Sequence, residues 1–536
     1  SFNAVSGTKG KFSYYAYYDN RHGNGWRDNA AFNYHAFYVH LGYQFNKKIS
    51  LAAEFSRMDY VQQIAGGLTD EQFRQNARQS FRSRNYFQPL INIPALIFKY
   101  DLNEQTHLEI TSSALFGQRN SVQFINPSTI LDTFNTSIHS YNPRQVDRDY
   151  YSGFTTEARL LHLYKLGKVN GILSGGVRYF TEHTKRRQKG AGTTGSDFDL
   201  SLIHPYGIDL NLTTDNYALF AENSFQLTDK LSVTPGFRYE VIQTDLSGMI
   251  NNATSAIHYQ GKRNFPLFGT GLQYKLNACT QLYGNISQEY RPYLYANVTP
   301  ADRIDKIDPS LKDSKGYDID LGYRGHVSNI LQFDINAFYL FYGNKVGLIS
   351  QQAGNGTSYL FTTNIGNSVA KGVEAFAELS ITHWLAPLAK EWELKIFNSL
   401  AYDHAVYTTG MINHIGSNES IAGNFVENAP EWINKSGMEI HVKNVSGVLQ
   451  YSYASRSYND ALNTRSSANG VTGIIPAYHV WDLFVNWRFL KQYHLSAGVN
   501  NLANRQYFNR RITFYPGPGI LPADGRTFTV SLGLKF

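Results

Sequence analysis

Cysteine and long apolar runs are almost missing from this chain of 536 residues. Cys279 is the single cysteine, so it cannot form an internal disulfide, and we expect it to be a packed strand residue. No run approaches the roughly 18 apolar residues that a membrane-spanning helix needs, which excludes a helical membrane protein. The sequence also lacks the metalloprotease, serine-hydrolase and phosphate-loop motifs. We therefore expect no enzyme, no resident metal and no cofactor.

Aromatic residues are abundant, with 38 Tyr and 34 Phe, and mean hydropathy is −0.36. A transmembrane β-barrel can have such a low mean hydropathy because only alternate residues of each strand meet lipid. Its two membrane interfaces are also rich in aromatic side chains. The alternative is a large soluble all-β protein.

The C-terminal segment 525–536 alternates without a break. Phe528, Val530, Leu532, Leu534 and Phe536 lie on one face of an extended chain, and polar or small residues lie on the other. Lipid cannot satisfy an unpaired strand edge, so a barrel must pair its final strand with its first. The alternative interpretation is the edge strand of a soluble sandwich.

Short and long connections alternate along the whole chain. We predict about 21 strands joined by short turns at one end and long loops at the other, as in outer-membrane barrels. The long loops are predicted at about 20–30, 61–94, 119–148, 183–213, 245–263, 292–314, 344–365, 407–429, 458–476 and 504–523. Single-chain barrels of this kind have an even number of strands, so we expect one further strand upstream of Ser1 and an open edge opposite the last strand.

The loop 61–94 contains a local helix signal. Thr69-Asp70-Glu71-Gln72 has the pattern of a capping box and precedes Phe73, so a short surface helix is predicted. Formal net charge is +7 and the basic residues are spread out. This distribution does not suggest nucleic-acid binding, and it would suit an anionic ligand or the phosphates of surface lipid.

Recognisable family features occur in the stretches 24–27, 66–70, 79–87, 116–122, 290–292, 308–311, 315–317, 499–502 and 525–528. These stretches resemble the barrel of TonB-dependent outer-membrane receptors, closest to the ferric-citrate (ferric dicitrate) type. The resemblance covers nearly the whole chain, so residues 1–536 are predicted to form one barrel domain of the 22-stranded type.

The resemblance implies a function and partners. It implies import of an anionic ferric chelate, ferric citrate or a related siderophore, with energy from the TonB–ExbB–ExbD complex. It also implies an N-terminal plug and a TonB box, which this sequence does not contain and which we expect upstream. Outer-membrane lipid, lipopolysaccharide and a surface lipoprotein are further expected partners.

Arginines in or beside the long loops are the candidate ligand-binding residues. Guanidinium groups bind anionic, oxygen-rich ligands well, and amide side chains add hydrogen bonds. Arg82 and Arg84 are two residues apart, so in an extended segment both could reach the same anion. The full candidate set is Arg82, Arg84, Gln118, Arg119, Asn120, Arg291, Arg303, Arg456 and Arg505. The alternative is that these arginines pair with lipopolysaccharide phosphate or with loop carboxylates.

Three carboxylates, Asp318, Asp320 and Glu240, are predicted to face the barrel interior and the plug. Other interpretations of the function remain. Haem receptors of this superfamily use a histidine in a region equivalent to 290–311, which has none here. A cobalamin or carbohydrate receptor, a passive porin and a structural barrel are the further alternatives.

Overall fold

A computed structural model describes residues 1–250, 256–294, 299, 306–352, 358–389, 391–414, 416–490, 492–512 and 517–535. The chain is almost entirely β-strand. The first strands and helix are β1 (Phe2–Lys9), β2 (Phe12–Gly23), β3 (Phe32–Gln44), β4 (Ile49–Gln63), α1 (Asp70–Gln75), β5 (Tyr86–Asn103), β6 (Thr106–Gln123), β7 (Phe134–Asn135), β8 (Ser140–Tyr141), β9 (Gln145–Leu166), β10 (Val169–Gly192) and β11 (Leu202–His204).

The middle of the chain continues the same pattern. It contains β12 (Ile208–Gln226), β13 (Leu231–Ile250), β14 (Ile257–Lys275), β15 (Thr280–Arg291), β16 (Lys306–Ile307), β17 (Ser314–Val327), β18 (Leu331–Gln352), β19 (Ser358–Ser380), α2 (Ile381–Leu385), β20 (Trp392–His414) and β21 (Ser417–Ser420).

The last part of the chain contains the remaining strands. Its strands are β22 (Trp432–Val442), β23 (Val445–Ala454), β24 (Ser457–Tyr458), β25 (Ile474–Ile475), β26 (Tyr478–Phe489), β27 (Tyr493–Asn500), β28 (Phe508–Ile512), β29 (Gly519–Pro522) and β30 (Thr527–Leu534).

Twenty-one of these strands form one continuous antiparallel ladder, which we call the wall. Each strand of the wall pairs with the next one in chain order. The short strands β7, β8, β11, β16, β21, β24, β25, β28 and β29 lie in the loops. The predicted strand number is confirmed, and so is the transmembrane antiparallel β-barrel as the fold class.

The two ends of the wall differ in the length of their connections. At one end the links are short, such as 45–48 between β3 and β4 and 104–105 between β5 and β6. At the other end lie long loops, among them 64–85, 124–144 and 501–526. The predicted alternation of turns and loops is therefore confirmed.

The outer face of the wall is apolar and exposed. In β30, Phe528, Val530 and Leu532 expose 71%, 76% and 61% of their surface, while Thr529 and Ser531 lie on the opposite face. A stripe of this kind is stable in lipid and unstable in water. No helix in the described part of the chain is long and apolar enough to cross a membrane.

The edges of the ladder are also described. β1 pairs with β2 and β30 pairs with β27, and within the described residues no ladder joins β30 to β1. This agrees with the expected open edge, although Phe536 lies outside the described residues. A further strand upstream stays a prediction.

One expectation about the wall is wrong. Cys279 is exposed in the turn between β14 and β15 and is not a packed strand residue. Asn277 closes this turn, because its side-chain oxygen accepts hydrogen bonds from the backbone N–H groups of Cys279 and Thr280 at 2.8 and 2.9 Å. The tight turn therefore leaves the cysteine outside the ladder.

Candidate ligand-binding site

A packed layer of loops lies at the long-loop end of the wall. We call the segments 64–85, 124–144, 193–207 and 501–526 the loop layer. Leu68 exchanges two backbone hydrogen bonds with Ile520, at 3.0 and 2.8 Å, and both side chains are fully buried. Phe508 and Ile475 complete this apolar cluster. The apolar core of this end therefore joins segments more than 400 residues apart in the sequence.

Helix α1 begins as the sequence predicts. The Thr69 hydroxyl accepts a hydrogen bond from the Gln72 backbone N–H at 3.1 Å, and the Gln72 side-chain oxygen accepts one from the Thr69 N–H at 2.9 Å. The predicted capping box and surface helix are therefore confirmed. Arg511 then fixes this helix to the far loop by a bidentate bond to Asp70 at 2.9 and 2.7 Å.

Arg82 and Arg84 do not occupy the exposed positions that the sequence suggests. Arg82 exposes 3% of its surface, and its guanidinium donates to the carbonyl groups of Asn126, Pro127 and Ile130 at 2.9 to 3.1 Å. Burial lowers its pKa below the ordinary arginine value. Its donors are taken by the loop layer, so this side chain organises the loop 124–144.

Arg84 is buried more deeply, with 0% of its surface exposed. It forms a bidentate ion pair with Asp132 at 2.8 and 2.5 Å and donates to the carbonyl groups of Asn142 and Thr194, each at 3.1 Å. The expectation that Arg82 and Arg84 together reach an external anion is thus wrong for this conformation. Their partners lie 44 to 110 residues away in the chain, where local sequence spacing could not indicate them.

Arg144 of the loop layer is buried in the same way, and Arg27 of the neighbouring β2–β3 loop is partly buried. Arg144 donates to the carbonyl groups of Arg84 and Asp197 at 3.0 and 2.7 Å, and burial, with the nearby Arg84 charge, lowers its pKa. Arg27, in the β2–β3 loop, donates to Gly66 and Gln79 at 2.6 and 2.7 Å. Burial lowers the pKa of Arg27 to about 10.

The stretch Gln118-Arg119-Asn120 is divided by the geometry of β6. Neighbouring strand residues point to opposite faces, and Phe116 is exposed on the outer face. Gln118 and Asn120 share that outer face, where Asn120 bonds to Gln88 at 2.9 Å. Only Arg119 faces the barrel interior. The three neighbouring candidates therefore do not share one face of the wall.

Arg119 belongs to a charged cluster on the inner wall. The register places Arg119 of β6, Asp149 of β9 and Arg186 of β10 side by side. The Asp149 carboxylate contacts Arg119 at 2.5 Å, Arg186 at 3.5 Å and the Gln188 amide at 3.2 Å. Asp149 exposes 1% of its side chain, whereas Arg119 exposes 45%.

Arg186 and Gln188 are not among the residues predicted from the sequence. A signal was available, because Lys185-Arg186-Arg187 is the one short basic run of the chain, and strand alternation separates its middle member from the other two. Asp149 thus holds two guanidinium groups on the interior face of the wall. Asp147, two residues earlier on the same face, is a second carboxylate close to Asp149.

The remaining candidates lie apart from this cluster. Arg291 is the last residue of β15 and is exposed. Strand alternation places it on the interior face, because Ile286 of the same strand is on the lipid-facing side. Arg456 and Arg505 are exposed in loops. Arg303 lies outside the described residues.

The predicted interior carboxylates share the inner face. In β17, Asp318 and Asp320 alternate with the exposed Ile319 and Leu321, so both acids point inward. Glu240 alternates in the same way with Phe237 and accepts a hydrogen bond from Asn216 at 2.5 Å. Among the described residues no group of three or more acidic, histidine or cysteine side chains could hold a metal ion.

The wall and its loop layer define an outer-membrane receptor barrel. The family described as TonB dependent receptor-like, beta-barrel, matches residues 2–502, and the chain belongs to this family. The family consists of transport receptors and not of enzymes, and its barrels lie in the outer membrane.

Individual relatives are more distant. The Rhizobactin receptor of Rhizobium meliloti (strain 1021) is 22% identical over 389 residues, which cover 65% of this chain and 46% of that protein. The chain thus spans about half the length of this curated relative.

Solved structures show the same fold. Unliganded ferric citrate transporter FecA superimposes with a TM-score of 0.81 at 21% identity, covering 99% of this chain and 75% of that chain. The siderophore receptor PiuA from Acinetobacter baumannii gives 0.80 at 14% identity, covering 100% and 79%. The copper transporter OprC gives 0.72 at 13% identity, covering 100% and 78%. Barrels that are named for different cargoes therefore share this architecture.

Proposed function

We propose that this chain is the barrel of an importer for an anionic ferric chelate, with ferric citrate as the first candidate and a related ferric siderophore as the second. The names of the relatives support this class, since they include a Rhizobactin receptor, a ferric citrate transporter and a siderophore receptor. Energy would come from the TonB–ExbB–ExbD complex, as the family membership implies. The barrel contributes the binding surface and the wall of the passage.

The observation that carries the proposal is the Arg119–Asp149–Arg186 cluster. Asp149 is buried and holds both guanidinium groups on the inner face. Arg119 remains half exposed, so part of its donor set is free to bind an incoming carboxylate or chelate oxygen. The exposed guanidinium of Arg119 favours an anionic cargo over a neutral one. Arg291 is the second exposed interior arginine that we assign to cargo contact.

The test is direct binding to the purified protein by titration calorimetry. Arg119→Gln should weaken ferric citrate binding about 10-fold, because one charge-assisted hydrogen bond contributes about 1.5 to 3 kcal/mol. Adding Arg186→Gln should weaken it further. The matched control is Arg57→Gln. Arg57 is an exposed arginine of β4 that pairs with Asp59 at 3.1 Å and shares a face with the lipid-facing Leu51.

The same titration with haem and cobalamin tests the cargo class. Tight binding of either, with no binding of ferric citrate or a ferric siderophore, would contradict the proposal. Unchanged ferric citrate affinity in the Arg119→Gln, Arg186→Gln double variant would contradict the site but not the cargo. Growth under iron limitation with citrate as the only chelator then tests transport.

A further inference from the structure

The ladder between β14 and β15 ends before either strand does. Its last pair is Gly269 with Ser287, and both strands continue beyond this pair at the long-loop end. Beyond it, β13 is the only strand of the described residues that pairs with β14. The loop between β15 and β17 lies beside the free side of β14, where Asp313 pairs with Arg263 at 3.2 Å. Strand and loop thus enclose a small group of side chains.

Two tyrosine hydroxyl groups meet in this region. The hydroxyl oxygens of Tyr259 in β14 and Tyr293 in the loop are in direct hydrogen-bond contact. Tyr259 pairs with Leu246 of β13, which is fully buried. Strand alternation places Tyr259 opposite the exposed, lipid-facing Phe268 of its own strand. The hydroxyl pair therefore lies toward the inside of the wall and away from lipid.

A glycine leaves space beside the two hydroxyl groups. Gly261 lies on the same face of β14 as Tyr259, two residues further along the strand. A Cβ added at Gly261 would lie 2.7 Å from the hydroxyl oxygen of Tyr293 and 3.1 Å from that of Tyr259. Any other residue would crowd these oxygens. A ligand atom that contacts both oxygens therefore has room on this side.

Arg263 places a positive charge next to the hydroxyl pair. Its guanidinium carbon lies 4.5 Å from the centre of the Tyr293 ring, and Asp313, which also accepts a hydrogen bond from Tyr290, holds one end of the guanidinium. The Nε–H of Arg263 is buried and has no hydrogen-bond acceptor among the described residues. A buried donor without an acceptor costs stability, so this N–H is suited to an oxygen atom of a ligand.

An apolar shell covers the other side of the hydroxyl pair. Tyr259 and Tyr293 pack against a buried cluster that consists of Ile208, Leu210, Leu212, Leu246 and Ile250. Opposite charges attract each other more strongly where water is excluded. Deprotonated phenol oxygens are hard ligands, and they bind small, highly charged cations such as Fe³⁺.

We propose that Tyr259 and Tyr293 form an iron contact that is separate from the Arg119 cluster, in which both phenol oxygens bind Fe³⁺ of the chelate directly. Its role in import rests on the proposed function, because it requires a ferric cargo. Each new Fe–O bond replaces one phenol O–H bond, and the two protons leave to solvent. The iron stays ferric, so no electron is transferred.

The same contact determines which chelates fit. The remaining coordination positions of the iron stay with oxygens of the chelate, and the free Nε–H of Arg263 binds one chelate carboxylate. Two phenol oxygens reach the iron only when the chelate leaves neighbouring positions open. The contact therefore selects carboxylate chelates that do not fill the coordination sphere of the iron.

Visible spectroscopy of the purified protein mixed with ferric nitrilotriacetate tests this contact. Nitrilotriacetate leaves part of the coordination sphere open, and iron–phenolate bonds absorb visible light by charge transfer from oxygen to iron. The wild-type protein should show a new visible band that saturates at about one iron per chain. Tyr259→Phe and Tyr293→Phe should each remove about half of the band or more, and the double variant all of it. Phenylalanine keeps the ring and its packing, so the variants should fold.

Tyr239→Phe is the matched control. The Tyr239 hydroxyl accepts a hydrogen bond from Asn264 at 3.1 Å in the same part of the wall, but Tyr239 shares the outer face with Phe237. This variant should keep the whole band. Gly261→Ala keeps both phenol groups and fills the space beside them, so it should weaken iron binding about 10-fold or more.

Three results would overturn the iron contact. They are a wild-type protein without the band, a double variant with the full band, and an equal band with a ferric chelate that fills every coordination position.

Calorimetry with ferric citrate separates this contact from the proposed function. Ferric citrate binding in a protein that shows no band would overturn the iron contact and leave the proposed function standing. A band in a protein that binds neither ferric citrate nor a ferric siderophore would support the iron contact and contradict the proposed cargo.

Discussion

Val530 in the barrel wall exposes 76% of its surface, whereas Arg84 in the loop layer exposes 0%. The wall is apolar outside and polar inside, because its outer solvent is lipid. The loop layer is organised as a water-soluble protein, with Leu68 and Ile520 buried, except that its core also holds charged arginines. The same chain therefore follows two opposite rules of burial, one in the wall and one in the loop layer.

The largest expected effect concerns the buried ion pair of the loop layer. Asp132→Ala leaves the Arg84 guanidinium buried without its counter-charge, which should cost about 3–5 kcal/mol. Hydrogen exchange of the segment 124–144 should speed up accordingly. Glu71→Ala removes the exposed ion pair with Arg74 and should leave exchange unchanged. Equal effects of the two variants would contradict the burial rule for the loop layer.

The matching test in the wall compares substitutions at two adjacent residues of β30. Val530→Arg places a charge on the lipid face and should destabilise the barrel by about 2–4 kcal/mol at midplane depth. Ser531→Arg places the same charge on the inner face and should have little effect. Urea-dependent folding into lipid vesicles measures both. A larger effect at Ser531 than at Val530 would reverse the assignment of the two faces.

A smaller effect is expected from acid at the segment 421–431. Burial alone would raise the pKa of Glu427, but the Lys345 ammonium and the Tyr407 hydroxyl, 2.5 Å away, outweigh it and hold the pKa below the usual value of 4.5. The stability that the ionised Glu427 contributes to the folded segment is therefore complete above pH 4.5. It is lost as the pH falls through the lowered pKa of this carboxyl.

The protection of backbone amides in the segment 421–431 from hydrogen exchange measures this pH dependence, after correction for the pH dependence of the intrinsic exchange rate. It should be constant above pH 4.5 and fall below it. Glu427→Gln should remove most of the pH dependence. A variant that keeps the full acid response would show that another carboxylate controls the segment.

The smallest effect is expected at the cap of α1. Thr69→Ala should destabilise the helix by about 1 kcal/mol, because the hydroxyl accepts the Gln72 N–H. Thr69→Ser keeps the oxygen and should be close to neutral. Exchange rates of residues 70–75 measure the difference. No change in Thr69→Ala would show that the Arg511–Asp70 bond alone holds the helix.

Local patterns explain which predictions succeeded. The alternation of β30 and the capping box at Thr69 involve residues within four positions of each other, so the sequence displays them directly. The division of Gln118, Arg119 and Asn120 could also have been predicted from strand alternation alone. The burial of Arg82 and Arg84 could not, because their partners come from other loops.

The sequence by itself determined the wall, since period-2 alternation decides which face of each strand meets lipid. It also determined that one end of the wall carries long loops. Only the tertiary structure decided which arginines are available. Burial depends on contacts between distant segments, and these contacts enclose Arg84 and Arg144 but leave Arg119 and Arg505 exposed. The chemistry of an anion site follows from that difference in exposure and not from the residue type.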